Sequence, residues 1–218
     1  MATQARRKRD KERRRQVILD AARRLFWGRG FEATTMPEIA EAAELAPGTL
    51  YLYFPGKTAI YGELLLEGYD ILIARLRKAI GRKRAPRRQA EALIDAFLGF
   101  AEDCPEYFDV IFFVIQREGQ SARQAMPTPE QMERLQEKED AGKALAARVL
   151  ERSGTHASEE DLRRTVDAVW SMLVGLVFYF RKAGTEEFRQ VASAGRRLIL
   201  DAVFGPEAAG RGAAQRAN

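Results

Sequence analysis

Residues 34–57 read TTMPEIAEAAELAPGTLYLYFPGK, and the rest of the chain is organised around them. Thr35-Met36-Pro37-Glu38 is a helix-start signature. Thr35 is placed to cap a backbone N–H, Glu38 to reach back to the cap, and Pro37 stands in the first turn, where no N–H is needed. The helix so started buries Ile39, Ala40 and Ala43 and runs out near Glu44. Leu45 and Ala46 make a short turn with an apolar plug. Pro47 then sets φ for a second short helix, with Leu50 and Phe54 inward and Gly48, Thr49, Tyr51, Leu52 and Tyr53 outward. Two short helices joined by about three residues make a helix-turn-helix, whose second helix is narrow enough for a DNA major groove. The same pattern fits an ordinary αα-hairpin inside a helical core.

Upstream, a helix is predicted from within a basic arm to Trp27. Val17, Ile18, Ala21, Ala22 and Leu25 form its apolar stripe, and Arg13, Arg14, Arg23 and Arg24 face solvent or DNA. Gly28 and Gly30 stop it, and Phe31 packs back on a small three-helix core. Between Arg6 and Arg15 eight basic residues stand against Asp10 and Glu12, so this one stretch accounts for the chain's net charge of +5 and leaves the remainder close to neutral. Such a local excess suits a polyanion, the alternative being a solvated basic tail.

Downstream, the Pro55-Gly56 turn opens a long helix from Lys57 to about Ile80, with Ile60, Leu64, Leu65, Leu72, Leu76 and Ile80 at helical spacing. Residues 81–88, with glycine, proline and five basic residues, read as a boundary loop. A helix carrying Leu93, Ile94, Phe97 and Phe100 ends near Cys104-Pro105. The apolar segment 106–116 has strand composition but reads as helix, since a lone strand would have nothing to pair with. A loop follows over 119–129, then a polar helix over 130–152 with Met132, Leu135, Leu145 and Val149 inward. Ser158-Glu159-Glu160-Asp161 caps a helix whose middle, 168–180, is apolar nearly all round. The last helix carries Phe188, Val191, Ala192, Gly195, Leu198, Ile199 and Ala202. The expected fold is all-α with about nine helices: a three-helix helix-turn-helix domain over 1–56, a larger helical domain over 57–204, and a disordered tail over 205–218.

Composition narrows the chemistry. Hydrophobic residues at 46% and charged residues at 31% describe an ordinary globular chain. One cysteine, Cys104, rules out an intrachain disulfide and fits a reducing cytoplasm. With one histidine, His156, in a polar loop, these residue types form no metal-ligand set and no catalytic constellation. No metal, no cofactor and no enzymatic activity are therefore expected. The basic N-terminus leads into a helix broken by Asp20, Arg23 and Arg24, unlike a secretory signal. The thirteen apolar residues of 168–180 are too few for a bilayer, which needs about twenty. A helix apolar on all faces is instead buried on all faces, within the chain or against a second copy.

From Val17 to about Leu66 the chain resembles the DNA-binding domain of the TetR family of bacterial transcriptional regulators, through ILDAARRLFWGRGFEATTMPEIAEAAEL and GTLYLYFPGK. The resemblance implies that Thr35, Tyr51, Tyr53 and Lys57 hold the phosphate backbone, and that Met36, Pro47, Gly48 and Thr49 face bases. Departures from a common family pattern stand at Glu44 (frequently a turn glycine), Ala46 (frequently a serine cap) and Pro47 (frequently polar). Met36, Pro47 and Gly48 lack side-chain donors, so readout leans on Thr49 and on contact with thymine methyls. Arg6, Arg7, Lys8 and Arg9 of the arm are expected on DNA, with a narrow minor groove as their target.

For the C-terminal half, Phe97, Phe100, Phe108, Phe112 and Trp170, with Gln116, Gln136 and Glu139, are expected to line an apolar cavity for a small apolar or amphipathic effector. The bland alternative for each aromatic is core packing. The resemblance further implies a ligand-responsive repressor that binds a palindromic double-stranded operator as a homodimer. Its contact is expected through Val169, Leu173, Val177, Phe180, Val191, Gly195, Leu198 and Ile199. A non-specific architectural DNA binder is the second reading.

Overall fold

A computed structural model describes residues 2–81, 85–113, 127–154, 157–181 and 185–206. Among these residues it contains nine α-helices and no strand. They are α1 (Ala2–Arg29), α2 (Met36–Ala42), α3 (Pro47–Tyr51), α4 (Lys57–Ala79), α5 (Pro86–Asp103), α6 (Pro105–Phe113), α7 (Pro129–Glu151), α8 (Glu159–Phe180) and α9 (Thr185–Phe204). Gln116, His156, residues 82–84, most of the 119–129 loop and the tail from residue 207 lie outside the described residues. No helix among the described residues is long and apolar enough to cross a membrane.

The all-helical reading holds, including α6, whose strand-like composition folds as helix. Two local expectations shift. The basic arm is helical almost from its start, as the first part of α1. The 81–88 boundary is shorter than expected because Pro86 starts α5; proline fits the first helical turn, where its missing N–H has no intrahelical partner. Arg87 is thus a helical residue. Its guanidinium donates to the Leu200 and Gly205 carbonyls and pairs with Asp201 at 2.6 Å.

Packing divides the chain into two compact units, and the division does not follow the expected boundary at residue 56. The first unit takes the described residues up to Ile71 and from Cys104 to Glu139. The second takes Leu72–Asp103 and the described residues from Asp140 onward. Hence α6 and the first half of α7 belong with the helix-turn-helix.

In the first unit, α1 buries Ile18, Leu19, Ala21, Ala22 and Phe26, while Val17, expected inside, is exposed. Gly30, at φ 92, ends the helix, and its N–H donates to the Phe26 carbonyl. Phe26, Phe31 and Tyr61 form an aromatic cluster with ring centroids 4.9–5.7 Å apart. Two glycines of α4 admit neighbours that a side chain would exclude. A Cβ at Gly62 would lie 2.1 Å from the side chain of Gln131 on α7, and one at Gly68 would lie 2.8 Å from Tyr107 on α6. Gln131 is buried but satisfied: its amide donates to the Ala59 carbonyl and to Glu63, and its oxygen accepts from the Thr128 N–H.

In the second unit, α5 buries Leu93, Ile94, Phe97, Leu98, Phe100 and Ala101. Its buried polar residue, Gln89, donates to the Gly81 carbonyl at 2.7 Å and accepts from Arg152 at 2.7 Å. The middle of α8 is not enclosed on all sides within the chain. Val166, Leu173 and Val177 are buried, while Met172, Phe178 and Tyr179 are exposed.

Candidate nucleic-acid interface

The α2 start forms as its residue types dictate. The Thr35 hydroxyl and its backbone N–H both donate to the Glu38 carboxylate, at 2.7 and 2.8 Å. The Thr35 hydroxyl, then the Thr35 N–H, hold Glu38 below the usual carboxylate range, with Arg29 at 2.8 Å adding to the effect. Thr35 is exposed, as a phosphate contact requires, but its hydroxyl proton is already engaged.

The turn between α2 and α3 is built on Glu44. Its φ is 55, the only positive value among described non-glycine residues. The Leu45 N–H donates to the Ala40 carbonyl, and the Glu44 N–H to the Glu41 carbonyl. This is the left-handed helix end that glycine favours, because a Cβ crowds the carbonyl there. Pro47 opens α3 without a side-chain cap from Ala46. Leu50 and Phe54 are buried as expected, which leaves Pro47, Gly48, Tyr51 and Leu52 exposed and Thr49 and Tyr53 half-buried.

Met36 is only 8% exposed. It belongs to the core of the first unit and does not present a base-reading surface, because a large apolar side chain at the first turn of α2 gains more from the interior. Lys57 is likewise committed. Its ammonium donates to the carbonyls of Phe31, Glu32 and Thr34 at 3.0, 3.4 and 3.2 Å, and lies 4.5 Å above the Phe31 ring. Three donors meet three acceptors, so a phosphate contact would displace one of them. Lys57 therefore ties the start of α4 to the α1–α2 connection.

Sequence reasoning gave no role to two further residues of this face. Leu52 is 80% exposed, the most open large apolar side chain described. Its outward position was readable from the flanking inward Leu50 and Phe54. Arg15 ends the basic run but turns inward: its guanidinium stacks on the Phe54 ring at 4.5 Å and pairs with Glu63 at 2.6 Å. The available signal was its spacing of three from buried Ile18. Burial opposes ionisation of Glu63, but hydrogen bonds from Gln131 and Arg15, with Arg134 nearby, outweigh it and keep this carboxyl below its ordinary range. Arg6, Arg7, Lys8 and Arg9 are exposed on α1.

In the second unit a cavity of about 60 Å³ is lined almost wholly by carbon. Its walls include Phe97 of α5, Gly142 of α7, Trp170 and Leu173 of α8, and Ile199 of α9. The Phe97 and Trp170 rings meet edge-on at 5.3 Å. Of the eight expected pocket residues, these two line the cavity. Phe100 is fully buried with Arg75 over its ring at 5.8 Å. Phe108, fully buried, packs at 4.6 Å against half-buried Phe112 in the first unit. Gln136 is exposed and Glu139 half-buried, both also in the first unit, because α7 turns its polar side outward there.

The expected dimer residues also divide. Leu173, Val177 and Ile199 are buried within the second unit, so they are core. Val169, Phe180, Val191 and Gly195 are half-buried. Leu198 is 66% exposed, Met172 55% and Tyr179 74%. A Cβ on Gly195 would lie 2.5 Å from Leu176, so α9 approaches α8 closely at that point.

A helix-turn-helix with an open second helix, led by an exposed basic helix, is the arrangement of a helix-turn-helix DNA-binding domain. Residues 18–64 match the model for bacterial regulatory proteins, tetR family. The transcriptional activator FasR of Mycolicibacterium smegmatis is 31% identical over 102 residues, 47% of each chain. The transcriptional repressor KstR2 of Rhodococcus jostii is 37% identical over 84 residues, 38% of this chain and 41% of that one. The chain thus spans less than half the length of the curated relatives it matches. Among solved structures, the TetR family transcriptional regulator PfmR from Thermus thermophilus is 26% identical, with a TM-score of 0.65 over 84% of this chain and 96% of that one. Over residues 18–64 the chain is thus similar to the TetR family of bacterial regulatory proteins, and its fold resembles that of a solved TetR family regulator.

Proposed function

We propose that this chain is a sequence-specific transcriptional repressor that binds a palindromic operator as a homodimer and is released by a small, largely apolar effector. The observation that carries the reading is the open face of α3, set beside the basic run of α1 by the stacking of Arg15 on Phe54. Tyr51 and Tyr53 supply hydroxyls for phosphate, Arg6, Arg7, Lys8 and Arg9 supply charge, and Pro47, Gly48 and Thr49 face bases. The exposed apolar residues of α8 and α9 are what a second copy would cover.

The effector reading rests on the carbon-walled cavity. At about 60 Å³ it is far below the roughly 300–1,000 Å³ of ordinary ligand sites, so an effector acts by stabilising a wider conformation. Helices α4 and α7 contribute Leu76 and Gly142 to its wall, and each also contributes residues to the DNA-binding unit. Selection from a randomised duplex library, with sedimentation in parallel, tests the proposal. A repressor of this kind enriches an inverted repeat with half-sites one DNA turn apart, about 34–36 Å, and sediments as a dimer. Enrichment of nothing beyond bulk composition would instead mark a non-specific binder.

A further inference from the structure

Gly48 stands in the five-residue helix α3, where glycine is less stabilising than alanine. No internal constraint accounts for it: its φ is not in the left-handed region, and an added Cβ would meet nothing within 4 Å. One helical turn on, Leu52 is 80% exposed and has no donor or acceptor on its side chain. Residues four apart share a helix face, so Gly48 and Leu52 form a smooth apolar surface with a hollow at one end. A bare hollow and an open leucine lower the stability of an isolated domain, and both are accounted for by an external partner seated against them. The adjacent groups say which partner. Tyr51 is exposed beside Leu52, and Arg15 brings the basic helix to this end of α3 through Phe54.

We propose that Gly48 and Leu52 are specificity-determining residues that read thymine by shape. The missing side chain at Gly48 lets the α3 backbone approach base edges in the major groove, and Leu52 covers a thymine 5-methyl group. Among the four bases only thymine presents a methyl there, so an apolar surface without hydrogen-bonding groups selects it. This rests on the chain being a sequence-specific DNA binder, and it adds Leu52, which neither the sequence motif nor the backbone contacts assign.

The test uses the full chain and the duplex enriched from the randomised library. That duplex is resynthesised with deoxyuridine for thymidine, one position at a time, which deletes the methyl and keeps every hydrogen-bonding edge. Wild type is expected to lose affinity about fourfold at one position in each half-site, the effect of one buried methyl-sized group. Leu52→Ala, which removes the contact from both half-sites, should bind the thymine duplex about as weakly as wild type binds a duplex carrying uracil at that position in both half-sites, and should not distinguish the two. Gly48→Ala should raise the unfolding temperature and yet weaken operator binding by about fivefold or more, the cost of a methyl inserted into a close contact. Uracil-indifferent wild-type binding, a Leu52→Ala variant that still distinguishes thymine from uracil, or unchanged binding by Gly48→Ala would each overturn the assignment. Failure to enrich any sequence would strike earlier, at the DNA-binding reading itself.

Discussion

Glu44 and Lys57 show how single side chains hold the helix-turn-helix. A non-glycine residue in the left-handed region costs about 1–2 kcal/mol. Glycine there gives back about 0.5–1 kcal/mol through the freedom it adds to the unfolded chain. The first effect is larger, so Glu44→Gly is expected to stabilise the protein by up to about 1 kcal/mol, read as a higher midpoint in thermal or urea unfolding. Lys57→Met is expected to do the opposite. It removes hydrogen bonds from a charged donor to three carbonyls, and a loss of about 1–3 kcal/mol follows. Because the ammonium is engaged within the protein, the salt dependence of DNA binding should change by less than one charge's worth. A full unit of slope lost per half-site would restore Lys57 to the phosphate.

At the scale of elements, α7 docks on α4 through a glycine gap filled by a buried amide. Gly62→Ala would drive the Gln131 side chain out of that gap and break its bonds to Ala59, Glu63 and Thr128. A destabilisation of about 1–3 kcal/mol is expected, with amide exchange rising in the first half of α7. The same junction predicts a pH response. Glu63, at this junction, and Glu38, at the start of α2, are both held below their ordinary value of 4.5 when folded. Their contributions are complete above that value and fade as pH falls through the depressed folded values. Urea midpoints should therefore drop on acidification below about pH 4.5, and Glu63→Gln should flatten part of that drop. An unchanged acid limb in Glu63→Gln would show that this carboxylate is not among its causes.

For the whole molecule, the exposed apolar residues of α8 and α9 carry the decisive expectation. Exposed Met172 and Tyr179 share a face of α8 with half-buried Leu176, at spacings of four and three, and exposed Leu198 lies one turn beyond Gly195, which abuts Leu176. Replacing Tyr179 and Leu198 together by glutamate places charges on this face while leaving buried Leu173, Val177 and Ile199 intact. The variant should keep its helicity, sediment near the chain mass of 24.6 kDa at micromolar concentration, and bind the operator about 100-fold or more weakly. A variant that remains dimeric would remove these helices from the contact.

The amino-acid sequence by itself determined the helix-turn-helix. Its signals are local: Thr35 and Glu38 at a helix start, Pro47 at another, Gly30 at a stop, and Leu50 and Phe54 at helical spacing act through neighbours a few residues away. The order of helices among the described residues was legible for the same reason, down to α6, where composition alone pointed to a strand. Tertiary structure decided whatever depends on residues distant in sequence. It turned Met36 inward, tied Lys57 to three carbonyls around 25 residues upstream, and placed α6 and half of α7 with the DNA-binding unit. It also divided the aromatic residues, keeping Phe97 and Trp170 at the cavity while Phe108 and Phe112 pack together in the first unit. An aromatic on an apolar stripe reads the same whether its partner is a cavity, a core or a second chain. Only the neighbour across the helix face, supplied by another part of the chain, tells them apart.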